Sequence, residues 1–119
     1  MMSGKVSYHA GLAAEMLVAR HYCDNDHSVA ASRWRGQAGE IDLVLRKNDQ
    51  VVFVEVKKSK THAAAVARLQ RRQIERIYAA AGEFLANEPR GQLTDVRFDV
   101  ATVDQTGAVQ ILENAIFLA

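Results

Sequence analysis

Cysteine and proline are almost missing from this chain: Cys23 and Pro89 each stand alone. A lone cysteine excludes an internal disulfide and any zinc site built on cysteine pairs. His9, His21, His27 and His62 lack paired ligand spacing, so no histidine metal site is expected either. No apolar run approaches the roughly 20 residues that a membrane-spanning helix needs. The opening stretch, MMSGKVSYHAG, lacks the apolar core of a secretory signal, and a cytoplasmic protein is the expectation. Net charge is only +1, so the overall basic signature of many nucleic-acid-binding proteins is missing too.

What is there suits one domain, 1–119, of an ordinary globular composition. The charge is unevenly placed. Residues 57 to 76 carry Lys57, Lys58, Lys60, Arg68, Arg71, Arg72 and Arg76 against Glu75 alone. Such a patch can hold a phosphate backbone without a high overall pI. Its plainer reading is a solvated helix face.

Apolar residues at helical spacing, Leu12, Met16, Ala19 and Tyr22, predict a first helix over 10–23 that contains Glu15. Strands are predicted over 28–35, 39–46 and 51–57. Strong helix formers predict one long helix over 63–88, stopped by Pro89 and Gly91. Its stripe runs Val66, Leu69, Ile74, Ile77, Ala81, Phe84 and Leu85. Alternation over 94–104 predicts another strand, and Thr106-Gly107 turns the chain into AVQILE. The order α-β-β-β-α-β-β implies an α/β fold with a mixed sheet and helices packed on it.

The segment GEIDLVLRKNDQVVFVEVKK, 39–58, carries the chemistry. Asn48-Asp49 is a turn pair that tolerates positive φ. A two-residue loop there pairs 46 with 51, 44 with 53 and 42 with 55. Asp42 then opposes Glu55, and Glu40 opposes Lys57. One face of the hairpin reads Ile41, Leu43, Leu45, Val52, Val54 and Val56 and is predicted core. The other carries Val44, Val51 and Phe53, with Glu40, Asp42, Glu55 and Lys57 at one end. Opposed carboxylates repel unless one is protonated or a cation lies between them. Oxygen ligands of this kind suit Mg²⁺ or Mn²⁺. Lys57, two residues beyond Glu55, points to the same side and is placed to activate water or steady a developing charge. Two acids, a metal and a lysine beside a basic helix can hydrolyse a phosphodiester. The plainer alternative makes Asp42 and Glu55 solvated rim residues, each paired with a lysine.

At Asp42 and EVK (55–57) the chain resembles the PD-(D/E)XK nuclease superfamily. Within it, the chain is similar to the YraN-like endonuclease family of bacteria, through GLAAEMLVARHY, RWRGQAGEIDLV, VVFVEVKK and RFDV. These segments cover most of residues 11–103. The resemblance implies a restriction-endonuclease-like αβββαβ core and divalent-metal-dependent cleavage of DNA, nearest in style to Holliday-junction resolvases. It makes Asp42 and Glu55 metal ligands, the carbonyl of Val56 a third ligand, and Lys57 the catalytic lysine. It brings Glu15 toward the metal; otherwise Glu15 is an exposed helical residue. Gln73 matches a polar helix residue near some active sites of the superfamily. The chain departs from the pattern at Ser59, usually arginine, and near Leu69, usually lysine. Lys58, Lys60, Arg71 and Arg72 offer compensating charge.

Arg33 and Arg35 flank Trp34, which either stacks on a base or anchors core. Cys23 is expected to pack at a helix end, His62 to sit in a loop near the charged end of the hairpin, and Asp99 to tether Arg97 or a loop. The leading expectation is a Mg²⁺- or Mn²⁺-dependent endonuclease acting on DNA. Branched DNA is its candidate substrate and a homodimer its candidate assembly. A nucleic-acid-binding module that keeps the fold without useful activity is the second expectation. A small interaction protein with an incidental acid cluster is the third.

Overall fold

A computed structural model describes the backbone of residues 4–115 and the side chains of residues 11–115. The elements run α1 (Gly4–Cys23), β1 (Ser28–Arg35), β2 (Glu40–Lys47), β3 (Gln50–Lys58), α2 (His62–Ala67), α3 (Arg71–Leu85), a 3₁₀ turn (Gly91–Leu93), β4 (Val96–Val103) and β5 (Val109–Leu112). The strands form one sheet in the order β1-β2-β3-β4-β5. Only β3 and β4 are parallel; the other neighbours are antiparallel. A parallel pair needs a crossover, and α2 with α3 supplies it. The fold is therefore α/β, a mixed five-stranded sheet flanked by helices, compatible with a restriction-endonuclease-like core. No helix among the described residues is long and apolar enough to cross a membrane.

Two apolar layers hold the sheet. On one side α3 packs Ile77, Ala80, Ala81 and Leu85 against Val44, Val51, Phe53, Phe98 and Val100. On the other, α1 packs Ala14, Val18 and Tyr22 against Leu43, Leu45, Val52, Val54, Ala101 and Val103. With both faces covered, β2 to β4 read as nearly continuous apolar runs, as buried strands do. The hairpin has the expected register, Val44 opposite Phe53 and Lys47 opposite Gln50. Asn48 supplies the positive φ of the turn, at +53°.

Several sequence expectations are corrected. The long helix is two helices, because Gln70 is extended at φ −107°, ψ 148° and caps α3. The Gln73 side chain accepts from the Gln70 amide at 3.0 Å, and Arg68 reaches back to the Lys58 carbonyl at 2.7 Å. Leu69, between the helices, turns into the α3 side of the core. The buried stripe of α1 is Ala14, Val18 and Tyr22, while Met16 is 71% exposed. Small Ala14 lets the helix sit close to the sheet, and the Tyr22 hydroxyl, donating to Asp99 at 2.7 Å, sets its rotation. Cys23 is exposed rather than packed. Ile41 is buried with Val44 on the α3 side, although alternation puts it with Leu43. Across from this segment Arg33 of β1 has φ +49°, while the one register shift between β1 and β2 lies further along, between Val29 and Ala31.

Trp34 packs into the core, edge-on to Phe84. Asp99 is fully buried. It accepts from both Arg97 Nε and Nη2 at 2.9 Å and from the Asn114 amide at 2.8 Å. His62 opens α2 rather than lying in a loop, with Nδ1 2.6 Å from the Thr102 hydroxyl.

Candidate active site

The β2–β3 ladder ends at the pair Leu43 and Val54. Beyond it a side chain replaces the ladder: Asp42 Oδ2 accepts from the Val56 amide at 2.8 Å. Continuing the register sets Asp42 across from Glu55, and each carboxyl group perturbs the titration of the other. Lys57 shares the Glu55 side of β3, as residues two apart on a strand do. Its Nζ lies 3.3 Å from Glu55 Oε1, and both side chains are nearly buried. Glu40, expected opposite Lys57, is held instead by Arg35 at 3.2 Å. Arg35 and Glu40 are paired across β1 and β2, while the ladder that would have brought Glu40 to Lys57 has already ended.

Arg35, Glu40, Asp42 and Glu55 border a cavity of about 540 Å³. Asp42 and Glu55 form part of its wall with Glu15 from α1, Arg33 and Arg35 from β1, and Gln73 and Arg76 from α3. Glu15 is brought to the site, but Arg33 Nε holds it at 2.8 Å. Lys57 is not part of the wall and touches the site through Glu55. Lys58, Lys60, Arg71 and Arg72 are exposed outside the cavity, and Arg71 pairs with Glu75 at 3.5 Å. Ser59 uses its amide to bond the Val103 carbonyl.

The electrostatics follow from burial. Asp42 is pushed up to about 7, first by desolvation and then by the neighbouring Glu55 charge, against the Val56 amide, which favours the ionised form. Burial also raises Glu55, with Lys57 and Arg76 opposing it. Burial raises Glu15 too, and its bond to Arg33 works the other way. Two buried carboxylates in contact hold a proton between them, and a divalent cation can take that proton's place. Among the described residues no three acidic, histidine or cysteine side chains gather as a metal cluster. The acidic donors in contact here are two carboxylates, Asp42 and Glu55. That suits Mg²⁺ or Mn²⁺, which bind through one or two carboxylates and keep waters.

Sequence reasoning missed Gly36, Gly39 and Glu83, and it placed Arg76 only in the basic patch rather than on the cavity wall. Glu83 of α3 accepts from the Gln37 and Ala38 amides at 3.0 and 3.1 Å, and a Cβ on Gly36 would strike its carboxylate. A Cβ on Gly39 would meet Arg76 Cγ at 2.5 Å. Arg76 and Glu83 are seven residues apart, so they share a helix face two turns from each other. The signal in the sequence was the pair of glycines in RGQAGE, just ahead of Asp42.

A family model for an uncharacterised protein family, UPF0102, matches residues 14–103. The chain belongs to the UPF0102 family. The match spans Glu15, Asp42, Glu55, Lys57 and Arg76 alike, so the whole cavity wall lies inside the UPF0102 region. A UPF0102 protein of Cereibacter sphaeroides is 65% identical over 114 residues, 96% of this chain and 97% of the relative. One of Roseobacter denitrificans is 59% identical, covering 96% of this chain and 88% of its own. One of Dinoroseobacter shibae is 43% identical over 88% of this chain and 78% of its own. Membership agrees with the YraN-like resemblance carried by GEID and FVEVK.

Proposed function

We infer that the chain is a divalent-metal-dependent endonuclease that hydrolyses DNA phosphodiester bonds. The observation that carries this is the pair of nearly buried carboxylates, Asp42 and Glu55, in contact where β2 and β3 part. Burying two acids against each other costs stability, which a binding role explains and a purely structural one does not. Asp42, Glu55 and the Val56 carbonyl would hold Mg²⁺ or Mn²⁺. When bound, the cation supplies Lewis-acid polarisation of the phosphate and acidifies water.

The chain's own residues do the rest. Lys57 favours the ionised form of Glu55 through their ion pair and acts on the reacting phosphate through that carboxylate. The Val56 amide holds Asp42 in one orientation. Arg33 neutralises Glu15, so that a third carboxylate does not repel the anionic substrate. Lys58, Lys60, Arg71 and Arg72 carry the flanking DNA backbone, and branched DNA is the substrate form the reading favours.

Manganese titration tests the first half. Asp42→Asn and Glu55→Gln should each weaken binding at least tenfold, because each removes a charged ligand and keeps the shape. Equal affinity in all three proteins would refute the site. A cleavage panel of single-stranded, duplex, flap and four-way DNA tests the second half, with Lys57→Ala expected to lose cleavage while keeping DNA affinity. The position of Lys57 outside the cavity wall favours a second reading, a binding module without turnover. DNA and manganese binding with no cleavage of any substrate would select it.

A further inference from the structure

Three arginines border the cavity, and they are not equivalent. Arg33 is held by Glu15 and Arg35 by Glu40. Arg76 makes neither a hydrogen bond nor an ion pair among the described residues. It is a solvent-facing residue of α3 whose aliphatic stem crosses the β1–β2 loop at Gly39. Gly39 has φ +154°, and any Cβ there would lie 2.5 and 2.7 Å from Arg76 Cγ and Cδ. The loop is fixed independently, two turns along the same helix, by Glu83 and the amides of Gln37 and Ala38. The stem therefore has one course across the loop, and the guanidinium ends on the cavity wall with Glu55. The charge of Arg76 is felt at Glu55, yet no carboxylate engages it.

An arginine with no partner among the described residues, on the wall of a cavity that also holds two carboxylates, has little reason to be there unless an anion arrives. Its planar fork matches two oxygens of a phosphate group, which a point charge does not. We propose that Arg76 binds the phosphate undergoing reaction in the cavity, and that Gly39 is a positioning residue whose missing side chain gives Arg76 its path. The proposal rests on the endonuclease reading for the identity of the anion, a DNA phosphodiester.

The test uses the full chain. Wild type, Arg76→Ala, Arg76→Lys, Gly39→Ala and the Gly39→Ala/Arg76→Ala double variant are titrated against a fluorescent DNA duplex over a salt series. Calcium is present in one set and EDTA in the other, with manganese titrations and manganese cleavage assays alongside. Removing a charge-assisted hydrogen bond should weaken DNA binding by Arg76→Ala by roughly tenfold to a hundredfold. The slope of log affinity against log salt should flatten by about one unit. Arg76→Lys should keep the slope and recover only part of the affinity, because the fork is gone. Gly39→Ala should weaken wild type but add little to Arg76→Ala, since it acts through that side chain. Manganese affinity of Arg76→Ala should hold or rise, because a cation beside the ligands has been removed.

A purely structural Arg76 would alter folding and leave the salt slope alone, and that result overturns the proposal. Additive losses in the double variant overturn the role of Gly39. If Gly39→Ala does not fold, Arg76→Ala and Arg76→Lys decide the matter by themselves. Cleavage lost in Asp42→Asn but untouched in Arg76→Ala, with equal binding, removes Arg76 and leaves the endonuclease. The expected slope change in a wild type that never cleaves keeps Arg76 as a phosphate ligand and removes the endonuclease. A wild type that binds no DNA overturns both.

Discussion

Replacing Asp42 by asparagine in metal-free protein should make the fold more stable, and the gain should depend on pH. The Asp42 carboxyl is raised from 3.8 to about 7 by burial and by Glu55. Between those two values the folded chain keeps a proton that the unfolded chain has released. Stability of the wild type therefore falls as pH rises through this window and levels off above it. The shift from 3.8 to about 7 corresponds to roughly 4 kcal/mol, at about 1.4 kcal/mol for each unit. Asparagine resembles the protonated acid: its oxygen can still accept from the Val56 amide, and its NH₂ can donate to Glu55. Urea denaturation in EDTA should show Asp42→Asn ahead of wild type by roughly 4 kcal/mol near pH 8 and by under about 2 near pH 5. In thermal melts near pH 8 the gap should be on the order of 15 °C. Saturating Mg²⁺ should narrow it, by about 3 kcal/mol at a hundredfold excess over Kd, because only the wild type retains both ligands. A variant less stable than wild type near pH 8, or a gap equal at both pH values, would refute the account of Asp42 as a strained, metal-awaiting carboxylate.

Two further outcomes bear on the fold and the flanking surface. Arg71→Ala with Arg72→Ala should weaken DNA binding and flatten its salt dependence by about one unit for each phosphate no longer neutralised, with cleavage recovering at saturating DNA; unchanged binding makes this helix end a solvated face. The same pair should barely affect melting, since an exposed i, i+4 pair such as Arg71–Glu75 contributes about 0.5 kcal/mol or less. Asp99→Ala should cost about 2–3 kcal/mol in urea denaturation, because it leaves the buried Tyr22 hydroxyl unpaired and removes the main partner of Arg97, which keeps only Glu113 at 3.8 Å, and Tyr22→Phe about 1.5–3 kcal/mol as the loss of one bond to a charged acceptor. A cost near zero for both would show that the network joining α1 to β4 contributes no stability.

The opposition of Asp42 and Glu55 was written in the sequence. A two-residue turn and a side-chain period of two leave one register, and the apolar faces of the hairpin allow no slip. The element order, the parallel crossover and the core roles of Trp34 and Phe53 follow from the same local patterns. Everything that completes the site came from contacts between residues far apart in the chain. Ile41 is buried on the α3 side although alternation puts it with Leu43, and Lys57 leaves Glu40 for Glu55 because the ladder stops before reaching them. The long helix breaks at Gln70 although its residues are strong helix formers, because burying Leu69 and capping with Gln73 outweigh propensity. Arg76 enters the cavity through an approach to Gly39, 37 positions away in sequence, that periodicity cannot encode. Local pattern determined which strands pair and which carboxylates meet, since hydrogen-bond register and alternation act between neighbours. Tertiary packing decided which cations face them and which are already engaged, since those choices depend on where α1, α3 and the β1–β2 loop come to rest on the sheet.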